Sequence, residues 1–220
     1  MNGAATFVPT AEAAFIAGLS DRDMNRVMDE HIVPDALFRA DNGRRFARLA
    51  AAFARFYFGT EEQFVATLRR QILEELTRRV ALRRDKNSVF AMTRMPNDFD
   101  WCVTVPYARV DVSTFIQDAV DRVRQVEQAD ALVHVDPEVM DGLPVFSGTR
   151  VPVETITSSL DKGIGKARLM SSYPFLSDEH IAAARTYLRV HPKRGRPRRL
   201  SEANPSWTVK SSRKVRAAKA

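Results

Sequence analysis

The stretch DPEVMDGLPVFSGTRVPV (residues 136–153) restricts the path of the backbone and decides the fold of the C-terminal region. Its initial Asp-Pro pair and central Asp-Gly pair are turn signals that bring the chain back on itself. Gly148 interrupts an otherwise continuous strand and can adopt a backbone conformation that is barred to other residues. Pro152 suits the first turn of a helix, where its missing amide hydrogen is not needed. The stretch therefore predicts a hairpin followed directly by a helix, and it contains no catalytic set.

Three short helices are expected after this hairpin. Gly163 ends the first, residues 166–172 form the second, and Ser177 caps the third. A strand over residues 131–135 is expected as the first arm of this hairpin, and the turn signals after it bring the chain back through residues 144–146. The sequence thus predicts a C-terminal β-hairpin and three-helix domain over residues 131–192.

The same region carries a family resemblance. The block Gly-Thr-Arg-Val-Pro-Val at residues 148–153, with its distances from Asp136-Pro137-Glu138 and from residues 173–177, closely resembles the domain of unknown function 433 family. Members of that family look like antitoxins of type II toxin-antitoxin operons, partnered with PIN-like ribonuclease toxins. The resemblance implies a helix-turn-helix-like domain usable for DNA binding or dimerisation. Longer members, with an N-terminal helix-turn-helix and a basic tail, resemble VapB antitoxins, and this chain has that layout.

Within the block, Thr149 and Arg150 are expected to have structural rather than chemical roles. Turn glycines and prolines usually serve the backbone, so Thr149 is expected to shape the hairpin. Arg150 is expected to form a structural ion pair.

The sequence of the N-terminal segment, residues 1–60, predicts a winged helix-turn-helix. Thr10 can cap one helix, Gly18 suits its end, and Ser20 can cap a second helix over residues 21–32. Arginine and asparagine can make bidentate contacts to base edges in the major groove. The outward face of the second helix carries three such candidates for DNA binding: Arg22, Asn25 and Arg26. Asp21 and Asp29 on the same helix would repel phosphates.

A basic hairpin should follow these helices, because Asn42-Gly43 supplies the positive backbone angles that a tight turn requires. It carries three further candidates for phosphate or minor-groove contacts: Arg39, Arg44 and Arg45. The order of helix, turn, helix and basic hairpin resembles the DNA-binding domain of MerR-type regulators over residues 8–58. The alternative is a pair of ordinary amphipathic helices with a solvated hairpin.

The middle segment, residues 61–130, should open with a long helix, since Thr60 and Gln63 have the spacing of a capping box. Its apolar stripe can pack on the middle segment or on a second copy of the chain; the stripe consists of Phe64, Leu68, Ile72, Leu76 and Val80. Two short strands separated by Pro106 are predicted next, followed by a helix from Ser113 that links the two halves.

The tail, residues 193–220, holds ten Lys or Arg and one Glu, so it carries +9 while the rest of the chain carries −2. Arg194 and Arg196 lie in Arg-Gly-Arg-Pro, which is similar to the core of AT-hook peptides that bind narrow minor grooves. A PIN-like toxin groups carboxylates around a metal, and the resemblance implies six contacts to it: Trp207, Val209, Lys210, Arg213, Lys214 and Arg216. The alternatives are phosphate contact without selectivity and a disordered, solubilising terminus.

Composition narrows the class of protein. Cys102 is the single cysteine, no His or Cys spacing fits a zinc site, and no cofactor motif is present, so neither metal nor cofactor is expected. No apolar run is long enough to cross a bilayer, and there is no secretory segment, which favours a cytoplasmic protein. The four histidines are scattered and no nucleophile lies in an activating motif, so an enzyme is not expected.

The combined prediction is a mainly α-helical protein with small β-hairpins and a basic extended tail. The expected function is that of an antitoxin that neutralises a PIN-like ribonuclease through its tail and binds operator DNA, as a homodimer or a hetero-oligomer with the toxin. The alternative is a stand-alone DNA-binding transcriptional regulator or nucleoid-associated protein.

Overall fold

A computed structural model describes residues 7–41, 43–106 and 108–192. This part of the chain is mainly α-helical with small antiparallel sheets, which confirms the predicted fold class at that level. Within it, no helix is long and apolar enough to cross a membrane, and no group of His, Cys, Asp or Glu residues has a geometry that could hold a metal ion.

The N-terminal elements begin with a strand that the sequence did not indicate. In chain order they are β1 (Phe7–Pro9), α1 (Thr10–Ala17), α2 (Asp21–Asp29), β2 (Phe38–Arg39), β3 (Arg45–Ala47) and α3 (Arg48–Gly59). The predicted hairpin of β2 and β3 forms, with Phe38 opposite Phe46, and β1 joins it to give an antiparallel sheet of order β1-β3-β2. The sheet therefore ties the start of α1 to the hairpin.

The turn between α1 and α2 follows the local signals closely. Gly18 has a left-handed φ of 65°, and Ser20 caps α2 by accepting a hydrogen bond from the amide of Asp23. Two details differ from expectation. Pro9 rather than Thr10 precedes the first helical residue of α1. The second helix ends at Asp29, because His31 adopts a left-handed φ of 46° that stops it before residue 32.

The predicted capping box at Thr60 is wrong. The Thr60 hydroxyl donates to the carbonyl oxygen of Phe56, so it stands at the end of α3 instead of starting a helix. The next helix begins six residues later, and the middle elements are α4 (Ala66–Ala81), α5 (Lys86–Phe90), β4 (Cys102–Val105), β5 (Ala108–Asp111) and α6 (Ser113–Leu132). The hairpin of β4 and β5 forms as predicted.

The apolar stripe of α4 is covered within the chain. Ile72, Leu76 and Val80 are fully buried, packed with α3, α5 and β4. Elements of the same chain, from the middle segment and from α3, therefore cover these three side chains, which present no free apolar face to a second copy.

The C-terminal elements are β6 (Val133–His134), β7 (Val145–Phe146), α7 (Val153–Asp161), α8 (Lys166–Ser172) and α9 (Asp178–Val190). The strand predicted over residues 131–135 is shorter, because α6 continues to Leu132 before the chain extends to pair with β7. Gly148 has the expected positive φ, 75°. Ser177 caps α9 by accepting from the amide of His180.

Two hydrophobic cores support this architecture. The larger core runs from Val8 to Val126 and the smaller lies between β6 and α9. Val190, the last residue of α9, packs into the larger core, and α9 lies along α6 and α1. The C-terminal helix α9 is therefore packed directly against the N-terminal helix α1.

Candidate nucleic-acid interface

The exposed face of α2 is set by what its other face buries. Met24, Val27 and Met28 are buried in the larger core, which turns Arg22 toward solvent and leaves Asn25 half-buried. Among the described residues, no ion pair involves Arg22. Its guanidinium is thus exposed, as the sequence predicted for the outward face of this helix.

The hairpin is tied to α2 by one side chain, Arg44. Its Nη1 donates to the backbone oxygen of Asn25 at 3.1 Å and to Asp29 Oδ2 at 2.8 Å. Its Nη2 lies 2.8 Å from Asp29 Oδ1, which completes a two-pronged ion pair. Helix and hairpin thereby border an open cavity of about 480 Å³ lined by Pro9, Thr10, Asn25, Asp29, Gly43, Arg44 and Arg45.

Arg39 and Arg45 both engage the first strand. The Arg39 guanidinium carbon lies 4.2 Å from the centre of the Phe7 ring, and Arg45 Nη1 donates to the Phe7 carbonyl oxygen at 3.3 Å. Arg39 is exposed and keeps donors for a phosphate, whereas Arg45 is half-buried beside the strand. Asn42, which was predicted to form the hairpin turn with Gly43, lies outside the described residues.

Arg26 is held by acids of its own helix region. Its Nε lies 2.7 Å from Glu30 Oε1, and its Nη1 lies 3.8 Å from Asp23 Oδ1. The hydrogen bond between Arg26 and Glu30 raises the pKa of Arg26 and lowers the pKa of Glu30. The Asp and Glu residues of segment 21–30 outnumber its two arginines, so α2 attracts phosphates weakly and any affinity must come from elsewhere on the surface.

In the DUF433-like segment, Thr149 has the expected structural role. Its hydroxyl donates to the Phe146 carbonyl oxygen at 2.9 Å and accepts from the Val151 amide at 3.1 Å, which closes the turn around Gly148. The ion pair expected for Arg150 is absent from the part of the chain that the structure describes, where this side chain is exposed.

The remaining predicted contacts lie outside the described residues. These are the DNA candidates Arg194 and Arg196 and the toxin candidates Trp207, Val209, Lys210, Arg213, Lys214 and Arg216. Conversely, sequence reasoning missed two arginines that reach the turn between α1 and α2: Arg55 of α3 donates to the Ala17 oxygen and Arg122 of α6 to the Phe15 oxygen. Nothing in the sequence links positions so far apart.

Comparison with known proteins bears on both halves of the chain. The family model for a protein of unknown function, DUF433, matches residues 133–188, within the segment that the sequence motif indicated. The uncharacterized protein y4eO of Sinorhizobium fredii (strain NBRC 101917 / NGR234) is 30% identical over 215 residues, which is 98% of this chain and 95% of the relative. That match leaves only five residues of the chain uncovered, so it extends into the basic segment after Pro192.

No solved structure matches the chain significantly. The full-length similarity nevertheless covers the N-terminal elements, the middle elements and the C-terminal domain together. The chain belongs to the same family as y4eO, and its residues 133–188 form a DUF433 domain.

Proposed function

We propose that this protein is an antitoxin without catalytic activity of its own. It neutralises a PIN-like ribonuclease toxin through its basic tail and represses its own operon by binding DNA through the N-terminal helix-turn-helix and hairpin, in the manner of a MerR-like winged domain. It acts as an oligomer with itself or with the toxin.

The observation that carries the DNA-binding part is the tie between α2 and the hairpin. Arg44 joins the two through Asn25 and Asp29, so a solvent-facing helix and a basic ribbon are held on one surface around an open cavity. Winged helix-turn-helix proteins use such a helix for base edges and such a ribbon for the backbone. The exposed guanidinium of Arg22 is the side chain best suited to reading a base.

The antitoxin part is supported by the DUF433 domain and by charge. The resemblance of that domain to antitoxin-associated members supplies the class of partner, and the tail concentrates +9 in 28 residues. A segment of that sign is attracted to a carboxylate-lined metal pocket, where its arginines can take the place of the cation.

Co-expression with the product of the neighbouring gene tests the antitoxin part. Both cores lie before Pro192, so a chain ending there retains the described contacts and loses only the tail. Only the full-length chain should restore growth and co-purify with the toxin, while both forms shift duplex DNA from upstream of the gene. Equal rescue by both forms would exclude neutralisation through the tail.

Substitution of Arg22 tests the DNA-binding part. Arg22→Ala should lower the preference for the upstream duplex over a shuffled duplex by about 1–3 kcal/mol at fixed salt, the range for a bidentate base contact. Arg84→Ala is a matched control, because Arg84 is also exposed but lies beyond the end of α4. An unchanged preference in the Arg22 variant would move base recognition to another element.

The competing function is a stand-alone DNA-binding regulator or nucleoid-associated protein. The Arg-Gly-Arg-Pro segment at residues 194–197 favours it, since AT-hook-like peptides bind DNA without a protein partner. The two functions differ in one genetic observation. A neighbouring gene that encodes a PIN-like cluster of carboxylates supports the antitoxin, and its absence supports the regulator.

A further inference from the structure

Two arginines from different helices converge on the turn between α1 and α2. Arg122 Nη1 donates to the Phe15 carbonyl oxygen at 3.0 Å, and Arg55 Nη1 donates to the Ala17 carbonyl oxygen at 3.3 Å. A Cβ on Gly18 would lie 2.8 Å from Arg55 Nη1 and 2.9 Å from both terminal nitrogens of Arg122. The two guanidinium groups therefore flank the same glycine.

A third guanidinium approaches from the last turn of α9, the helix in which the DUF433 domain ends. Arg189, near the end of α9, places its guanidinium carbon 5.7 Å from the centre of the Phe15 ring, beside the carbonyl that Arg122 contacts. Burial and then the charge of Arg55 lower the pKa of Arg122, Asp118 opposes them, and the charge of Arg189 lowers this pKa by a smaller amount. The protonated arginines thus repel one another across this turn.

The negative charge around these arginines is too small to balance them. Asp118 Oδ2 lies 3.1 Å from Arg55 Nη2 and is the one carboxylate paired with the three arginines in the described part of the chain. The C-terminal carbonyls of α1 add roughly half a negative charge. Capping of α1 therefore explains the two carbonyl contacts but leaves positive charge in excess.

An unsatisfied donor gives a second indication. Arg55 Nε is buried and has no hydrogen-bond partner among the described residues. Arg55 also borders an open depression of about 390 Å³ lined by Leu19, Arg55, Phe58, Gly59 and Phe115. An anion placed there would meet the Arg55 guanidinium while remaining in contact with solvent.

The depression is continuous with the candidate DNA-binding helix. The Arg26 guanidinium carbon lies 5.3 Å from the centre of the Phe58 ring, and Phe58 lines the depression next to Arg55. Basic side chains thus extend from α2 past Phe58 to the turn at Gly18. Acids accompany part of this path, since Asp23 and Glu30 pair with Arg26.

We propose that Arg55, Arg122 and Arg189 bind a phosphodiester group of the DNA backbone beside the turn between α1 and α2. This inference rests on the proposed DNA-binding function and names a contact that fixes the position of α2 on the duplex. Guanidinium groups match the geometry of phosphate oxygens, and backbone contacts of this kind orient a protein without reading sequence. Because Arg189 belongs to α9, the same phosphate joins this C-terminal helix to the DNA-binding surface.

The test is a titration of the full-length protein with fluorescent duplex DNA from upstream of the gene, at several salt concentrations. Each phosphate contact contributes about 0.9 to the slope of log affinity against log salt. Arg122→Gln should lower the magnitude of that slope by up to about 1, the contribution of the shared phosphate, and leave the preference for the upstream over a shuffled duplex unchanged. Arg189→Gln should act in the same direction, and its exposed position spares the cores.

Arg124→Gln is the matched control. Arg124 lies on the same helix as Arg122 but is exposed and pairs with Asp121, so its replacement removes the same charge without touching the cluster. Thermal midpoints of all variants show whether they are folded. Slopes equal to the wild type in folded Arg122→Gln and Arg189→Gln overturn the inference.

The inference and the proposed function can fail separately. A wild-type protein that binds upstream and shuffled duplexes equally contradicts operator recognition, while the slope on either duplex still reports the phosphate contact. A wild-type protein that binds neither duplex refutes both.

Discussion

Replacement of Arg48 by methionine should markedly lower the Tm of the protein. Arg48 joins α1, α3 and α6 through its carboxylate partners: its Nη2 lies 2.9 Å from Glu12 Oε1, and its Nη1 lies 2.8 Å from Glu127 Oε1. The side chains of Arg48 and Glu12 are only 10% and 9% exposed. Methionine fills much of the same volume, so the main consequence is a buried carboxylate without its partner.

The magnitude follows from that orphaned charge. Removing one member of a buried pair destabilises a protein by about 3–5 kcal/mol. For a chain of this length, such a loss corresponds to a decrease in Tm of roughly 6–20 °C. Glu127 is half-exposed, so Glu127→Gln should cost less than about 1 kcal/mol and serves as the matched control.

The stability that Arg48→Met loses should also depend on pH. Burial raises the pKa of Glu12 in the folded protein, against the lowering effect of the Arg48 charge and hydrogen bond. Without Arg48 the pKa of Glu12 rises further. Between the ordinary carboxyl pKa and this raised value, Glu12 is protonated in the folded state and ionised in the unfolded state. Folding stability of the variant therefore falls as pH rises from the ordinary carboxyl pKa through the raised one, so the deficit is larger at pH 7 than at pH 5.

The assay is thermal unfolding followed by circular dichroism at both pH values. The double variant Glu12→Leu/Arg48→Met removes the orphaned carboxylate and should recover most of the lost stability, because an apolar pair can replace a buried ion pair. A loss below 1 kcal/mol in Arg48→Met, or no recovery in the double variant, would refute the assignment of Glu12 as a buried charge held by Arg48.

Two further predictions concern local contacts. Ser20→Ala removes the side chain that accepts a hydrogen bond from an amide in the first turn of α2. It should lower the free energy of unfolding in urea by about 1 kcal/mol. Thr10→Ala, at a position without such a cap bond, should lower it clearly less. Hydrogen bonds from Arg78 and Arg79 lower the pKa of Glu75 to about 2, so its stabilisation is complete above the ordinary carboxyl pKa and is lost as pH falls toward 2. Glu75→Gln should flatten the decrease in Tm over that acid range, and an unchanged slope would contradict the pairing.

The features predicted correctly from sequence are those held by contacts between near neighbours. Ser20 and Ser177 cap their helices through amides three residues away, and Gly18 and Gly148 take the positive φ that their turns require. Such contacts depend on residue type and spacing alone. They were enough to locate α1, α2, α8 and α9 and the hairpin of β2 and β3.

The errors arose where a residue has two local uses or where burial hides the periodicity. Thr60 can cap a helix start or close a helix end, and packing selects the second through its bond to Phe56. The helix α3 was missed because its residues 49–54 are all buried, which leaves no polar face to reveal a helical period. Strand β1 was missed because three residues become a strand only when β3 lies beside them.

The sequence by itself determined the class of fold, the DUF433 motif and the helix-turn-helix order, because each is written in turn residues, caps and spacings that act over a few positions. The tertiary structure alone decided which charges remain available. It paired Arg44 with Asp29, left Arg22 in solvent, and brought Arg55 and Arg122 together at Gly18. Charge interactions depend on distance in space, and only the packing of α3 and α6 around α1 sets those distances.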